Sequence, residues 1–110
     1  MKTQQPILTT SVIAATDLTR RRFVGFGGNP CAAGARPLGV VEADTEAGGV
    51  APVNVLGILT VDAGAAVAVG ADVQSDANGR AITKAAGVLA GVTLDAATAA
   101  GDIIRIARGI

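Results

Sequence analysis

In the stretch from Val50 to Val61, Val53, Val55, Leu59 and Val61 all fall on odd positions and so share one face of an extended chain. Val67, Val69 and Val73 do the same in the next run. Period-two patterning on β-branched residues, interrupted every few positions by Gly, Asp or Asn, describes half-buried strands joined by tight turns. The same reading along the chain expects strands at about 22–26, 38–43, 50–61, 66–75, 80–84, 88–94 and 102–107. Asn78-Gly79, between two of them, is a dipeptide suited to both positive-φ positions of a type I′ hairpin turn. The Ala-rich stretch 95–100 has helix propensity, but its shortness between Leu94 and Gly101 favours a connecting turn.

Composition points the same way. Of 31 large apolar residues, 21 are Val or Ile, which fit strands better than helices. Ala and Gly together fill 38 of the 110 positions, so one domain's worth of chain has a thin core. Mean hydropathy is nevertheless +0.51, and self-association is the natural remedy for a small apolar domain with little side-chain volume.

Residues 1–20 differ from the rest, being richer in Gln and Thr and free of Gly. They alternate loosely through 6–13 and read as an extended N-terminal arm leading into a strand, held by another chain or folded back on its own domain; residues 21–110 form the β domain. There is also an internal echo. Residues 38–49, running Leu-Gly-Val-Val and then a small-residue loop to Gly, resemble residues 90–101, and Asp62-Ala63-Gly64-Ala65-Ala66-Val67 repeats the Ala-Gly punctuation.

The chain is poor in chemistry. With no His and one Cys, it offers no imidazole base, no internal disulfide and no His- or Cys-built metal site, so no catalytic, cofactor-binding or metal residues are expected. Cys31 reads as a small apolar residue. Nine basic and nine acidic residues, without Tyr or Trp, make no case for nucleic acid. Glu42, Asp44 and Glu46 would share a strand face and attract a hard cation, but lack the Asx-Gly loop that calcium sites use and read as a solvated loop. Gly25-Phe26-Gly27-Gly28-Asn29 lacks the Lys-Ser/Thr of a phosphate-binding loop and reads as a turn. Ser11 and Ser75 have no activating base. Thr19 to Val24 loosely resembles a twin-arginine signal, but no apolar segment follows, and no run approaches the roughly 20 apolar residues of a membrane span. A soluble chain that folds where it is made is expected.

From about Val24 onward the order of elements resembles the small capsid decoration, or cement, proteins of tailed bacteriophages. The resemblance rests on Pro37-Leu38-Gly39-Val40-Val41, Val55-Leu56-Gly57, the run Ala63-Gly64-Ala65-Ala66-Val67-Ala68-Val69-Gly70-Ala71-Asp72-Val73, the Asn78-Gly79 hairpin with Ala81-Ile82-Thr83, and Gly91-Val92-Thr93-Leu94-Asp95 closing with Gly101-Asp102-Ile103-Ile104-Arg105-Ile106. It covers roughly four fifths of the chain, and order and spacing carry it, since the phrases are mostly Ala, Gly and Val. It implies an all-β protein, a small β-barrel or β-tulip-like domain. It further implies a homotrimer on the outer surface of the virion, made in the host cytoplasm, that binds the major capsid protein and bridges its subunits without enzymatic activity or cofactor. The expected contact residues are Gln4, Ile7, Leu8 and Val12 of the arm and Arg20, Arg21 and Arg22 at its junction. Alternatives are a subunit of a cytosolic homo-oligomeric ring, or a carrier or binding module using Lys84, the one lysine in the interior of the sequence.

Overall fold

Antiparallel pairing organises the whole chain. The computed structural model describes residues 3–109, which contain no helix and eight strands: β1 (Gln5–Ile13), β2 (Phe23–Val24), β3 (Gly39–Val41), β4 (Val50–Asp62), β5 (Asp72–Ser75), β6 (Ala81–Thr83), β7 (Gly91–Thr93) and β8 (Ile103–Arg108). They form one sheet in the order β2-β3-β4-β8-β7-β5-β6, with β1 also paired to β4. The all-β expectation holds. Beyond the ladders, the Phe23 N–H donates to Gly79 O at 2.6 Å, and an isolated parallel bridge joins Ala63 to Ala81. The first link runs from β2 to the turn before β6, the strands at the two ends of the sheet, and the second from the end of β4 to β6.

The internal echo is structural and larger than the sequence suggests. β2 pairs β3 as Phe23↔Val40 and Val24↔Gly39, while β5 pairs β7 as Asp72↔Val92 and Val73↔Gly91. β3 meets the first part of β4 as Val40↔Asn54 and Val41↔Val53, and β7 meets β8 as Val92↔Ala107 and Thr93↔Ile106. Likewise β1 ends against β4 at Ile13↔Val50, as β4 ends against β8 at Asp62↔Ile103. Loop bonds repeat as well. The Ala14 N–H donates to Gly49 O at 2.9 Å and the Ala63 N–H to Asp102 O at 2.8 Å; the Leu18–Thr45 bridge has its counterpart in Val67–Ala97. The chain is therefore two copies of one unit, fused through the long strand β4. In the first copy β6 is reduced to an isolated antiparallel bridge between Val24 and Pro30.

Each copy has its own core. Ala14, Leu18, Val24, Ala51 and Val53 cluster in the first, and their counterparts Ala63, Val67, Val73, Ile104 and Ile106 in the second. The second is the fuller, adding Phe23, Cys31, Val40 and Leu59 among others. Val53 and Leu59 thus serve different cores although they share a strand. Between them Gly57 bends β4 at φ 112°, where a Cβ would lie 2.4 Å from Gln5 O. Fully burying an aliphatic side chain of Val, Leu or Ile size contributes about 1.5–3 kcal/mol, so a dozen such positions hold a chain otherwise built of Ala and Gly.

Two local expectations are corrected. The expected strand 66–75 begins at Asp72, because Gly70 at φ 73° turns the chain; Val67 stays buried while Val69 swings out to 64% exposure. The Asn78-Gly79 hairpin is present, but only Gly79 has positive φ, at 78°. Asp76 shapes the turn instead, its carboxylate accepting from the Asn78 and Arg80 N–H groups at 2.8 Å each, an Asx turn with glycine at the left-handed position.

Candidate functional site

β1 is the least buried element of the sheet. Eight of its nine residues are exposed and Val12 is half-buried. It pairs with β4 along one edge and with no second strand among the described residues. Ile7 is 78% exposed, with Leu8 and Ile13 also open, and Ile13 lies opposite the equally exposed Val50. A long edge strand with unpaired main-chain groups and apolar side chains is a template for adding another strand.

What fixes β1 is a polar network at its start. The Gln4 Nε2 donates to Glu42 Oε2 at 2.6 Å, while Gln4 Oε1 accepts from Thr60 Oγ1 at 3.1 Å. Glu42 also accepts from Asn54, which is only 2% exposed and whose side-chain oxygen accepts from Thr9 Oγ1 at 2.9 Å. Buried amides need such partners. The arm is folded back onto its own domain, and Gln4 is occupied in holding it there. Val12 packs against the first core. Among the expected contact residues of the arm, Ile7 and Leu8 remain available.

The arginine run forms the turn between β1 and β2. Arg20 is exposed, with its N–H donating to Asp44 Oδ1 at 2.7 Å. Arg21 Nε lies 3.4 Å from Asp62 Oδ1 and Arg22 Nε 3.8 Å from Asp62 Oδ2, so one carboxylate at the end of β4 faces two guanidinium groups. Arg21 is the one non-glycine residue with positive φ, at 62°, and it occupies the turn position that Gly70 fills in the second copy. Matching bonds establish this: the Arg21 N–H donates to Val41 O and the Gly70 N–H to Thr93 O, both at 2.9 Å.

The acidic trio does not share a face, because β3 ends at Val41; Glu42 turns into the network, Asp44 toward Arg20, and Glu46 stays exposed. No group of three or more His, Cys, Asp or Glu residues able to hold a metal occurs among the described residues. The glycine-rich segment closes as a turn, with the Gly25 N–H donating to Asn29 O at 2.8 Å. Ser75 is fully buried and its hydroxyl donates to Asp76 O at 2.9 Å. Lys84 is exposed just beyond β6 rather than at the hairpin tip. Burial pushes the Cys31 thiol up from its ordinary value, partly offset by its hydrogen bond with Ser75 and the charge of Arg108. No helix is long and apolar enough to cross a membrane.

An all-β scaffold with an apolar edge strand, a basic turn and no reactive cluster among its described residues defines a class of protein that acts through surfaces. The family model of the phage cement proteins matches residues 1–108, and the chain belongs to that family. It is a structural protein of the phage virion, associated with the capsid, in a family that is not an enzyme class. The fold is similar to the crystal structure of the head fiber gp8.5 N base of bacteriophage phi29, with a TM-score of 0.77 and 18% identity over 91% of this chain and 92% of that one. No curated protein matches the chain.

Proposed function

We propose that the protein binds the major capsid subunits on the outer surface of the phage head, as a homotrimer, and stabilises the contacts between those subunits. The observation that carries this reading is β1: a nine-residue strand, open along one edge, apolar at Ile7, Leu8 and Ile13, and held rigidly by the Gln4 network. A preordered edge adds a partner strand through main-chain hydrogen bonds without having to order itself first. The arginine turn that follows β1, with Arg20 exposed, supplies positive charge to the same surface protein. Three copies in one assembly would multiply weak contacts through effective concentration.

Deleting the arm is a poor test, because β1 is a full partner of β4 and its loss uncovers that strand. Substituting the exposed Ile7→Lys and Ile13→Lys leaves the sheet intact and places charge on the docking edge. The double variant should lose about tenfold in co-sedimentation with expanded heads. Undiminished binding by the folded variant would refute β1 as the contact.

A further inference from the structure

An apolar groove of about 570 Å³ runs along the seam between the two copies of the repeat. Its walls are the corresponding segments of each copy: residues 36–38 and 55–56 from the first, 88–90 and 107–109 from the second. Phe26, one of only two aromatic residues in the chain, stands over it at 64% exposure, held out of the core by the 25–29 turn, and Leu89 opens into it at 48%. Covering these two side chains would remove apolar surface from water, which favours association.

The charged lining has one sign. Arg36 and Arg108 line the groove and no acidic residue does. Arg108 Nη2 donates to Pro37 O at 3.3 Å, while its Nη1 is shielded from solvent and has no hydrogen-bond partner. Its counterpart in the first copy is Val55, so the second copy has replaced an apolar wall residue with a guanidinium. Burial lowers the proton affinity of Arg108, although arginine remains charged at neutral pH. Two arginines in an otherwise apolar lining, with no acidic residue beside them, favour a partner that carries a carboxylate, which a guanidinium holds through two parallel N–H bonds.

We infer that the seam groove docks an extended apolar peptide segment bearing a carboxylate, contributed by the capsid shell. This rests on the attachment proposed above and adds a second contact, distinct from β1. Apolar side chains of the segment would cover Phe26 and Leu89 while its carboxylate pairs with Arg108 and Arg36.

The test uses the full chain and purified expanded heads. Leu89→Asp places a negative charge on an exposed wall residue, Leu89→Lys disturbs the same wall with the favourable sign, and Arg108→Met removes the guanidinium. Leu89→Asp and Arg108→Met should each weaken co-sedimentation about tenfold, with Leu89→Lys affected less. In wild-type protein on heads, amide hydrogen exchange across residues 88–92 should slow. If both variants bind as tightly as wild type and those amides are unprotected while the β1 variant fails to bind, the groove inference falls and the attachment reading stands. If the variants change the protein's own assembly mass rather than head binding, a second copy is the occupant and the inference falls. Failure of the wild-type chain to bind heads at all overturns both.

Discussion

Arg21 and Gly70 hold the same turn of the two copies at φ 62° and 73°, and exchanging side chains there separates backbone strain from ion pairing. A Cβ added at Gly70 would meet nothing within 4 Å, so Gly70→Ala tests the left-handed conformation without a clash. That conformation costs an L-residue about 1–2 kcal/mol, offset by about 0.4–1 kcal/mol because Ala restricts the unfolded chain. The net loss should be about 1 kcal/mol, or about 5 °C in Tm for a domain of this size. Arg21→Gly runs the balance in reverse: it relieves the strain, frees the unfolded chain, and gives up an ion pair whose arginine is 30% exposed and therefore worth only a few tenths of a kcal/mol. It should leave stability within about 0.5 kcal/mol of the parent. Urea unfolding of both variants at one fixed protein concentration provides the measurement, since assembly would shift the midpoints. A neutral Gly70→Ala would refute the cost assigned to the left-handed conformation, and an Arg21→Gly variant that loses well over 1 kcal/mol would show that its turn is held by the Arg21 side chain rather than by backbone geometry.

Gly57→Ala should detach the start of β1, because its Cβ would lie 2.4 Å from Gln5 O; faster hydrogen exchange at residues 5–7 and a loss of about 2 kcal/mol are expected, and unchanged exchange would contradict the close approach of β1 to Gly57. Ile106→Ala and Val53→Ala, both fully buried but in different cores, should cost about 3 and about 2 kcal/mol in urea unfolding, and a negligible cost at either position would argue against two cores. Cys31 should resist thiol reagents until the chain unfolds. Because its folded pKa is raised, its contribution to stability is intact below the unfolded thiol value of about 8.5 and is lost as pH rises through the folded one. A thiol that reacts at the free-cysteine rate in native buffer would refute that burial.

Strand positions were legible because Val and Ile runs alternate with Gly, Asp and Asn, and β2 to β8 each overlap an expected strand, while β1 lies in the segment read as an extended arm. What escaped was set by backbone geometry rather than residue type. Nothing about Arg21 marks it as left-handed, and the shape of the 76–79 turn depends on the Asp76 carboxylate more than on the Asn-Gly pair. The repeat was half visible: Gly39 and Gly91 sit at matching places, but the earlier segments have diverged, with Thr10 exposed where Leu59 is buried and Arg21 where Gly70 stands. Only Val12 with Val61, Ala14 with Ala63 and Val24 with Val73 still match there. Of the expected contact residues, the exposed apolar ones lie on the open strand, but Gln4 proved to be the clasp of that strand, a role that depends on Glu42 and Thr60 far away in sequence. The groove could not be read at all, since four segments from two copies converge to make it.

The proposed role is mechanical, making the phage head more resistant to its contents. Expanded, DNA-filled heads lacking the protein should be heated in parallel with and without added protein, and DNA release followed with a dye that the closed head excludes. Saturating protein should raise the release temperature, and the Ile7→Lys/Ile13→Lys variant should not. Identical release curves with and without bound wild-type protein would contradict it.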